Sequence, residues 1–312
     1  MGLLDMNGDL GRLYGSIGVA LERPELVLEA RLLESGTAAL VVEGLERERV
    51  AAFARRFLER YPLPGTVQLR LRAAIPPHVG LGSGTQLALA VGAALAQLGG
   101  LALDAGEIGR IMGRGVHSGI GIAAFARGGF IVDGGHKAWG EGRPVPPVLF
   151  QHPLPPDWRF VVAIPAVEPG FNGVREQQAF QTLPPAPAAL VEKICRQLLM
   201  KMLPALLEED IVSFGQALTE VQRLVGDCFA AAQGGRYANP VSGQLVGYFL
   251  EQGAPGAGQS SWGPTVYAVV EGEEAALRLA GQARSFLEQH GGGQLFHTPA
   301  ARRGALMELS PA

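Results

Sequence analysis

The sequence predicts an α+β chain of two domains, and three observations predict it. Strands and helices of the first half follow one another without regular βαβ alternation; from about Val167 long helical patterns run in succession; and the chain then closes on strand, helix, strand. At 312 residues the chain is long enough for two modest domains, each with its own core. A hydrophobic share of 47% against 18% charged residues is that of a globular protein, not of a disordered one. The boundary is expected near Pro165 to Gly170, giving domains 1–165 and 166–312.

The elements follow from periodicity. An apolar segment at Ala38 to Val42 is followed by Val50, Phe53, Phe57 and Leu58 at helical spacing. Val67, Leu69, Leu71 and Ala73 alternate with Gln68, Arg70 and Arg72, the period of a strand with one buried face. Two prolines, Pro76 and Pro77, stop that strand before Gly80-Leu81-Gly82-Ser83-Gly84-Thr85. Leu87 to Leu98 then reads as an Ala- and Leu-rich core helix. Gly128 to Asp133 and Phe160 to Ile164 read as strands. Helices are predicted over Ala188 to Met202, Asp210 to Ala232 and Pro240 to Gln252, the middle one with a stripe of Ile211, Phe214, Leu218, Val221, Val225 and Phe229. Thr265 to Val270 as strand, Glu273 to Gln289 as helix and Gly293 to Thr298 as strand complete the chain.

Several functional classes are excluded early. A net charge of −3 provides no field for a phosphate polymer, so no nucleic-acid partner is expected. The two cysteines, Cys195 and Cys228, form neither a CxxC pair nor a ligand cluster, which fits a reducing cytoplasm. No secretory signal is read at the N-terminus, and the apolar run Leu87 to Leu103 is interrupted by Gln97 and glycines, so no membrane span is expected.

The unit of strand, glycine loop and helix carries the chemistry. Such a loop presents unpaired backbone N–H groups and the positive end of the helix dipole, and so takes an anion without a basic side chain. No Lys follows the glycines as in a Walker A loop, and the Gly80-x-Gly82-x-Gly84 spacing is not a dinucleotide fingerprint. On its own the pattern leaves two readings, a phosphate cradle and a tight turn without ligand.

The phrase Pro77-His78-Val79-Gly80-Leu81-Gly82-Ser83-Gly84-Thr85 resembles the second motif of the GHMP kinases, with Gly84 in place of a second serine. Gly113 to Gly121, continuing to Gly128 to His136, resembles the region where those kinases carry Ser-Gly-x-Asp. Gly121 stands where the kinases have their general base, and glycine accepts no proton. Gly256 to Thr265 sits where they have a third glycine motif. With Leu4-Asp5-Met6-Asn7-Gly8 and Gly11-Arg12, and above all His117 to Gly121 and Gln259 to Thr265, nearly the whole chain resembles the β-ribofuranosylaminobenzene 5′-phosphate synthases, GHMP relatives of methanopterin biosynthesis.

The resemblance implies a GHMP kinase fold, with a ribosomal protein S5-like N-terminal domain and a ferredoxin-like C-terminal domain. It implies a decarboxylating glycosyltransferase acting on phosphoribosyl pyrophosphate and 4-aminobenzoate or 4-hydroxybenzoate, with Mg2+ on the pyrophosphate and a homodimeric assembly. A short strand that the family carries ahead of Leu4 is missing from this reading, so the first sheet is expected to lack an edge.

Gly80, Gly82, Ser83, Gly84 and Thr85 are the expected pyrophosphate cradle. His117, Arg12 and Asp5 are the candidates for the reacting centre. Arg12, Arg114, His117 and His136 are candidates for the 5′-phosphate or the benzoate carboxylate, because guanidinium offers either a bidentate fork. Asn7, Ser118, Gln259, Ser260 and Ser261 are further substrate candidates, and Asp133 a metal or substrate contact. Asp5, Asn7 and Asp9 lack the closing Glu of a calcium loop, and no metal ligands are assigned. Arg175 and Glu176 match a family phrase, and a helix start capped by Asn172 explains them almost as well. Two other functions stay open: an ATP-dependent small-molecule kinase and a non-catalytic ligand sensor.

Overall fold

The computed structural model describes residues 1–33, 39–139, 145–168, 170–171 and 173–309. Three sheets organise them. The first runs β1 (Gly2–Asp5), β2 (Arg12–Val19), β6 (Phe130–Asp133), β8 (Val148–His152), all antiparallel, with β7 (His136–Lys137) also on β2. The second is β3 (Val27–Leu33), β5 (Thr66–Ala73), β4 (Ala39–Gly44), in which β4 lies parallel to β5. The third is β10 (Gly256–Gln259), β11 (Val266–Glu271), β9 (Trp158–Pro165), β12 (Gly293–Pro299). One expectation is corrected: Gly2–Asp5 is itself the edge strand of the first sheet, paired from Gly2 with Ile17 to Asp5 with Tyr14.

The helices lie close to their predicted bounds where the apolar period is strong. α1 (Arg47–Arg60) and α2 (Ser83–Leu98) bury Val50, Phe57, Leu87, Leu89, Val91 and Leu95 against Leu69 and Leu71 of β5. Two short helices, α3 (Ala105–Ile111) and α4 (Ile120–Arg127), pack on α2. α3 opens on a capping box, in which Asp104 and Glu107 each accept the other's backbone N–H. α5 (Gly173–Thr182) precedes α6 (Ala188–Gln197), which was expected to run as one helix to Met202. Instead Leu198–Met202 widens to a π-helical turn and continues as α7 (Leu203–Leu207). Pro204 explains this, since its missing N–H and its ring against the preceding turn forbid a regular α ladder there.

α8 (Ile211–Gln233) is the central beam, flanked later by α9 (Pro240–Glu251) and α10 (Glu273–Gln289). Its Phe214, Leu218 and Val221 are fully buried in a core that also holds Ile17 and Phe130 of the first sheet and Phe160, Val162 and Val269 of the third. The alternate residues Val161, Ala163, Val266 and Ala268 face the other way, into a core with α9 and α10. A strand period of two thus gives the third sheet two buried faces and joins both halves of the chain through one beam. Among the described residues no helix is long and apolar enough to cross a membrane.

Candidate active site

β5 delivers the chain to the glycine loop, and the loop's geometry depends on two glycines. Gly82 is the N-cap of α2 in the left-handed region, with open space beside its Cα. The first backbone bonds of the helix are Thr85 N–H and Gln86 N–H to Gly82 O, at 3.0 and 3.2 Å. The amides of Ser83 and Gly84 come before them, and no side chain caps the helix. Here the helix starts four residues earlier than its apolar pattern, because Ser83, Gly84 and Thr85 are themselves its first turn. Gly80, also at positive φ, is pressed against the turn between β10 and β11, where the Ser260 hydroxyl donates to Gly80 O at 2.8 Å. The second half of the chain therefore closes one side of the loop and leaves Gly82 open.

The segment His117 to Gly121 is held by Asp133, which is fully buried at the end of β6. Its carboxylate accepts the Ser16 hydroxyl, the Gly119 N–H at 2.8 Å and the Gly135 N–H at 2.9 Å, with the Ser118 hydroxyl at 3.5 Å. Ser118 in turn accepts the Ile120 N–H at 3.2 Å. Asp133 and Ser118 thus order this segment, and the Ser118 hydroxyl also shares a hydrogen bond of 2.6 Å with the Ser16 hydroxyl. The segment leads into α4, and Gly121 abuts Thr85: a Cβ on Gly121 would meet Thr85 Cγ2 at 2.8 Å. Gln86 locks the approach by donating to Gly121 O at 2.8 Å. A side chain at position 121 would have to displace Thr85, so the packing as well as the sequence departs from the kinase base.

Next to the loop lies an aromatic wall. His117 stacks on Phe180 of α5 at 4.3 Å between centroids, and Tyr14 of β2 meets His117 edge-on at 5.2 Å. Tyr14 also contacts His136 at 6.2 Å. Phe180 contacts Trp262 at 5.5 Å, and Phe229 packs on the same indole at 4.3 Å. Trp262 belongs to the turn whose Ser260 caps Gly80, so glycine loop and aromatic wall share one support. The sequence gives Trp262 no role, although it stands inside the phrase Gln259 to Thr265, and Tyr14 carries no signal there.

Glu176 of α5 joins this wall. Burial raises its carboxyl above the ordinary value of 4.5, opposed by a hydrogen bond from Trp262. A raised folded-state value makes stability greatest below the unfolded value and lowers it as pH climbs through the folded one. Glu176→Gln keeps an acceptor for the indole and removes the charge. Thermal melts should therefore show the variant more stable than the parent at pH 8 and equal to it below pH 4.5; a constant offset at both would sink this assignment.

The remaining candidates are used in turns. Asp5 Oδ1 accepts the Asn7 and Gly8 N–H groups at 2.7 and 3.0 Å. Asn7 donates to Ala186 O at 2.6 Å and accepts the Asp9 N–H. Arg12 donates through Nε to Gly134 O at 2.7 Å and through Nη2 to Gly135 O at 2.8 Å, which clips the turn before His136 and leaves three of its five N–H donors for other partners. Gln259 accepts the Ala238 N–H at 2.8 Å and donates to Ser261 O at 3.0 Å. Arg175 lies over the Phe171 ring at 5.1 Å, and Asn172 is outside the described residues. Arg114 sits over the Phe53 ring at 4.9 Å, its terminal nitrogens 3.7 Å from where a Gly84 Cβ would stand. Among the described residues no three His, Cys, Asp or Glu side chains converge on a metal position.

The sequence matches the GHMP kinases N terminal domain over residues 48–129 and the GHMP kinases C terminal over residues 202–289. It is similar to the beta-ribofuranosylphenol 5′-phosphate synthase of Methanothermobacter thermautotrophicus, 36% identical over 98% of this chain and 94% of the relative. The protein of that name from Archaeoglobus fulgidus is 41% identical over 88% of each chain. Among solved structures, a homoserine kinase from Cytophaga hutchinsonii superposes with a TM-score of 0.65 at 17% identity, over 92% of this chain and 90% of that one. L. major mevalonate kinase gives 0.63 at 15%, over 97% and 94%. At such identities the solved structures establish the fold alone, while the curated relatives span nearly the whole chain. The GHMP kinase fold and these full-length similarities together place this chain in the beta-ribofuranosylphenol 5′-phosphate synthase family.

Proposed function

We propose that this chain transfers the ribosyl 5-phosphate group of phosphoribosyl pyrophosphate to a ring carbon of 4-hydroxybenzoate or 4-aminobenzoate, releasing pyrophosphate and CO2, in tetrahydromethanopterin biosynthesis. The observation that carries it is the shared support of an open glycine loop and an aromatic wall on the Ser260 to Trp262 turn. The phenol in the relatives' names favours the hydroxybenzoate ring.

The step balances without an oxidant. The bond from the anomeric carbon to the pyrophosphate oxygen breaks with its electron pair leaving on oxygen, while ring electrons form the new carbon–carbon bond. The ring carbon attacked is the one bearing the carboxylate, so loss of CO2 returns an electron pair to the ring. Amides at Ser83 and Gly84, with the Ser83 and Thr85 hydroxyls, stabilise the leaving group. Phe180, Tyr14 and Trp262 shield the oxocarbenium-like carbon from water and flank the ring. His117, stacked on Phe180, and the free donors of Arg12 orient the carboxylate or the 5′-phosphate, with Asp5 and Asn7 fixing the turn beside them. Mg2+ brought with the substrate would supply further neutralisation of the pyrophosphate charge, and no residue of this chain is assigned to hold it. We further take the protein to act in the cytoplasm as a homodimer, which sedimentation would refute by giving a single-chain mass.

Incubation with phosphoribosyl pyrophosphate and carboxyl-labelled 4-hydroxybenzoate should release labelled CO2 and pyrophosphate in equal amounts. Ser83→Ala and His117→Ala should each lower turnover by roughly 10- to 100-fold, and His117→Ala should lose more rate than any fall in its melting temperature explains. Phosphorylation of an alcohol by ATP would favour the kinase reading, and binding without product the sensor; either result removes the proposal.

A further inference from the structure

The glycine loop has a basic neighbour made of Arg49, outside every phrase that carries the family resemblance, and Arg114, expected from the sequence at the 5′-phosphate or the benzoate carboxylate. Arg49 on α1 and Arg114 in the segment after α3 are far apart in sequence, yet their terminal nitrogens reach the same spot over the first turn of α2. Arg49 Nη2 lies 3.5 Å, and both terminal nitrogens of Arg114 lie 3.7 Å, from where a Gly84 Cβ would stand. Arg56 stands behind them, bonded through Nε to Ile111 O at 2.7 Å. The charges are poorly compensated: Glu46 pairs with Arg49 at 2.6 Å, and among the described residues no carboxylate pairs with Arg114. Nε of Arg114 is buried without a hydrogen-bond partner, and its guanidinium is held over the Phe53 ring.

Like charges do not gather in a partly buried place without cause. Desolvation, then Arg49, then Arg56 push the Arg114 guanidinium below its ordinary value, so each neighbour makes the bare cluster less favourable. An anion reverses every one of these costs, and guanidinium forks suit phosphate oxygens in particular. The position also explains the departure at Gly84. Where the kinase motif has a second serine hydroxyl, this chain has an open Cα with two guanidiniums over it.

We infer that Arg49 and Arg114 form a second phosphate position directly above Gly84, so that loop and arginine pair together grip the two phosphates of a diphosphate, the inner one on the α2 amides and the outer one on the guanidiniums. The pair neutralises the leaving pyrophosphate with side chains of this chain. This assignment deepens the synthase reading and rests on it for the identity of the diphosphate, but the site can be tested without turnover.

Calorimetric titration of the full chain with inorganic pyrophosphate and with orthophosphate, in the absence of added metal, is the experiment. Pyrophosphate should bind at least about tenfold more tightly than orthophosphate. Arg49→Ala and Arg114→Ala should each weaken pyrophosphate by about tenfold or more and leave orthophosphate within roughly twofold, with Arg114→Lys intermediate. Arg49→Lys keeps a cation beside Glu46 should Arg49→Ala fail to fold. Equal pyrophosphate affinity in parent and variants overturns the subsite, whatever the enzyme turns over. Weakened pyrophosphate binding in a protein that makes no labelled CO2 keeps the subsite and removes the synthase reading.

Discussion

Replacing Gly80 with alanine is expected to cost both stability and nearly all turnover, whereas the same change two residues on, at Gly82, costs little stability. Both residues have positive φ, so each alanine carries a backbone penalty of about 1 kcal/mol. Their surroundings differ. Beside Gly82 there is open space, while a methyl on Gly80 would press into Ser260 O, with Gly263 O behind it at 3.5 Å. Those oxygens are backbone and cannot rotate away. The turn from β10 to β11 must retreat, and the Ser260 hydrogen bond to Gly80 O is lost with it. Overpacking of this kind adds roughly 1–3 kcal/mol to the backbone penalty. Trp262 rides on the same turn, so the aromatic wall shifts relative to the phosphate loop. Misplacement of reacting groups by about 1 Å is enough for a 100-fold loss of rate. Urea unfolding and turnover of the two variants side by side are the check. Equal losses of stability at positions 80 and 82 would show that the contact with Ser260 is not what holds the loop.

How much of this was legible in the sequence depends on the kind of signal. Strands and helices with a clean period, such as Val67 to Ala73 and Glu273 to Gln289, are placed within a residue or two, because burial on one face dictates their spacing. Val27–Leu33 and Gly256–Gln259 escaped: the first is an edge strand whose outward face carries Leu33 and Val27, and the second is half glycine, fully buried with no side-chain pattern to read. The glycine loop was legible as an anion cradle, since its property resides in backbone amides that glycine spacing announces. The hydrogen bonds of Asp133, Ser118 and Gln259 to backbone were not, because a polar side chain bonded to backbone and one facing a ligand have the same one-letter code. Arg49 was invisible for another reason. It sits on the polar flank of an amphipathic helix, and only the fold brings it to Arg114, some 65 positions later in the chain.

Asp133→Asn is the second large effect, and it follows from counting donors. Both carboxylate oxygens are engaged: Oδ2 accepts the Ser16 hydroxyl and the Gly119 N–H, and Oδ1 accepts the Gly135 N–H. An asparagine has one acceptor oxygen and two N–H donors, so whichever way the amide lies, its NH2 faces a backbone N–H that has nowhere else to turn. The residue is fully buried, so water cannot make good the loss. A cost of about 1–3 kcal/mol is expected for each buried backbone N–H that loses its acceptor. Ser16→Ala, which removes a single donor and leaves the carboxylate its backbone partners, should cost only about 1 kcal/mol. The functional loss should exceed the share explained by unfolding. Gly119 fixes the segment that carries His117, and Gly135 fixes the turn that Arg12 clips from the other side, so both side chains drift once the carboxylate is gone. Turnover measured well below the variant's melting temperature, where nearly all molecules are folded, isolates that part. A folded Asp133→Asn protein with parental turnover would mean that the buried carboxylate supports the fold without ordering the site.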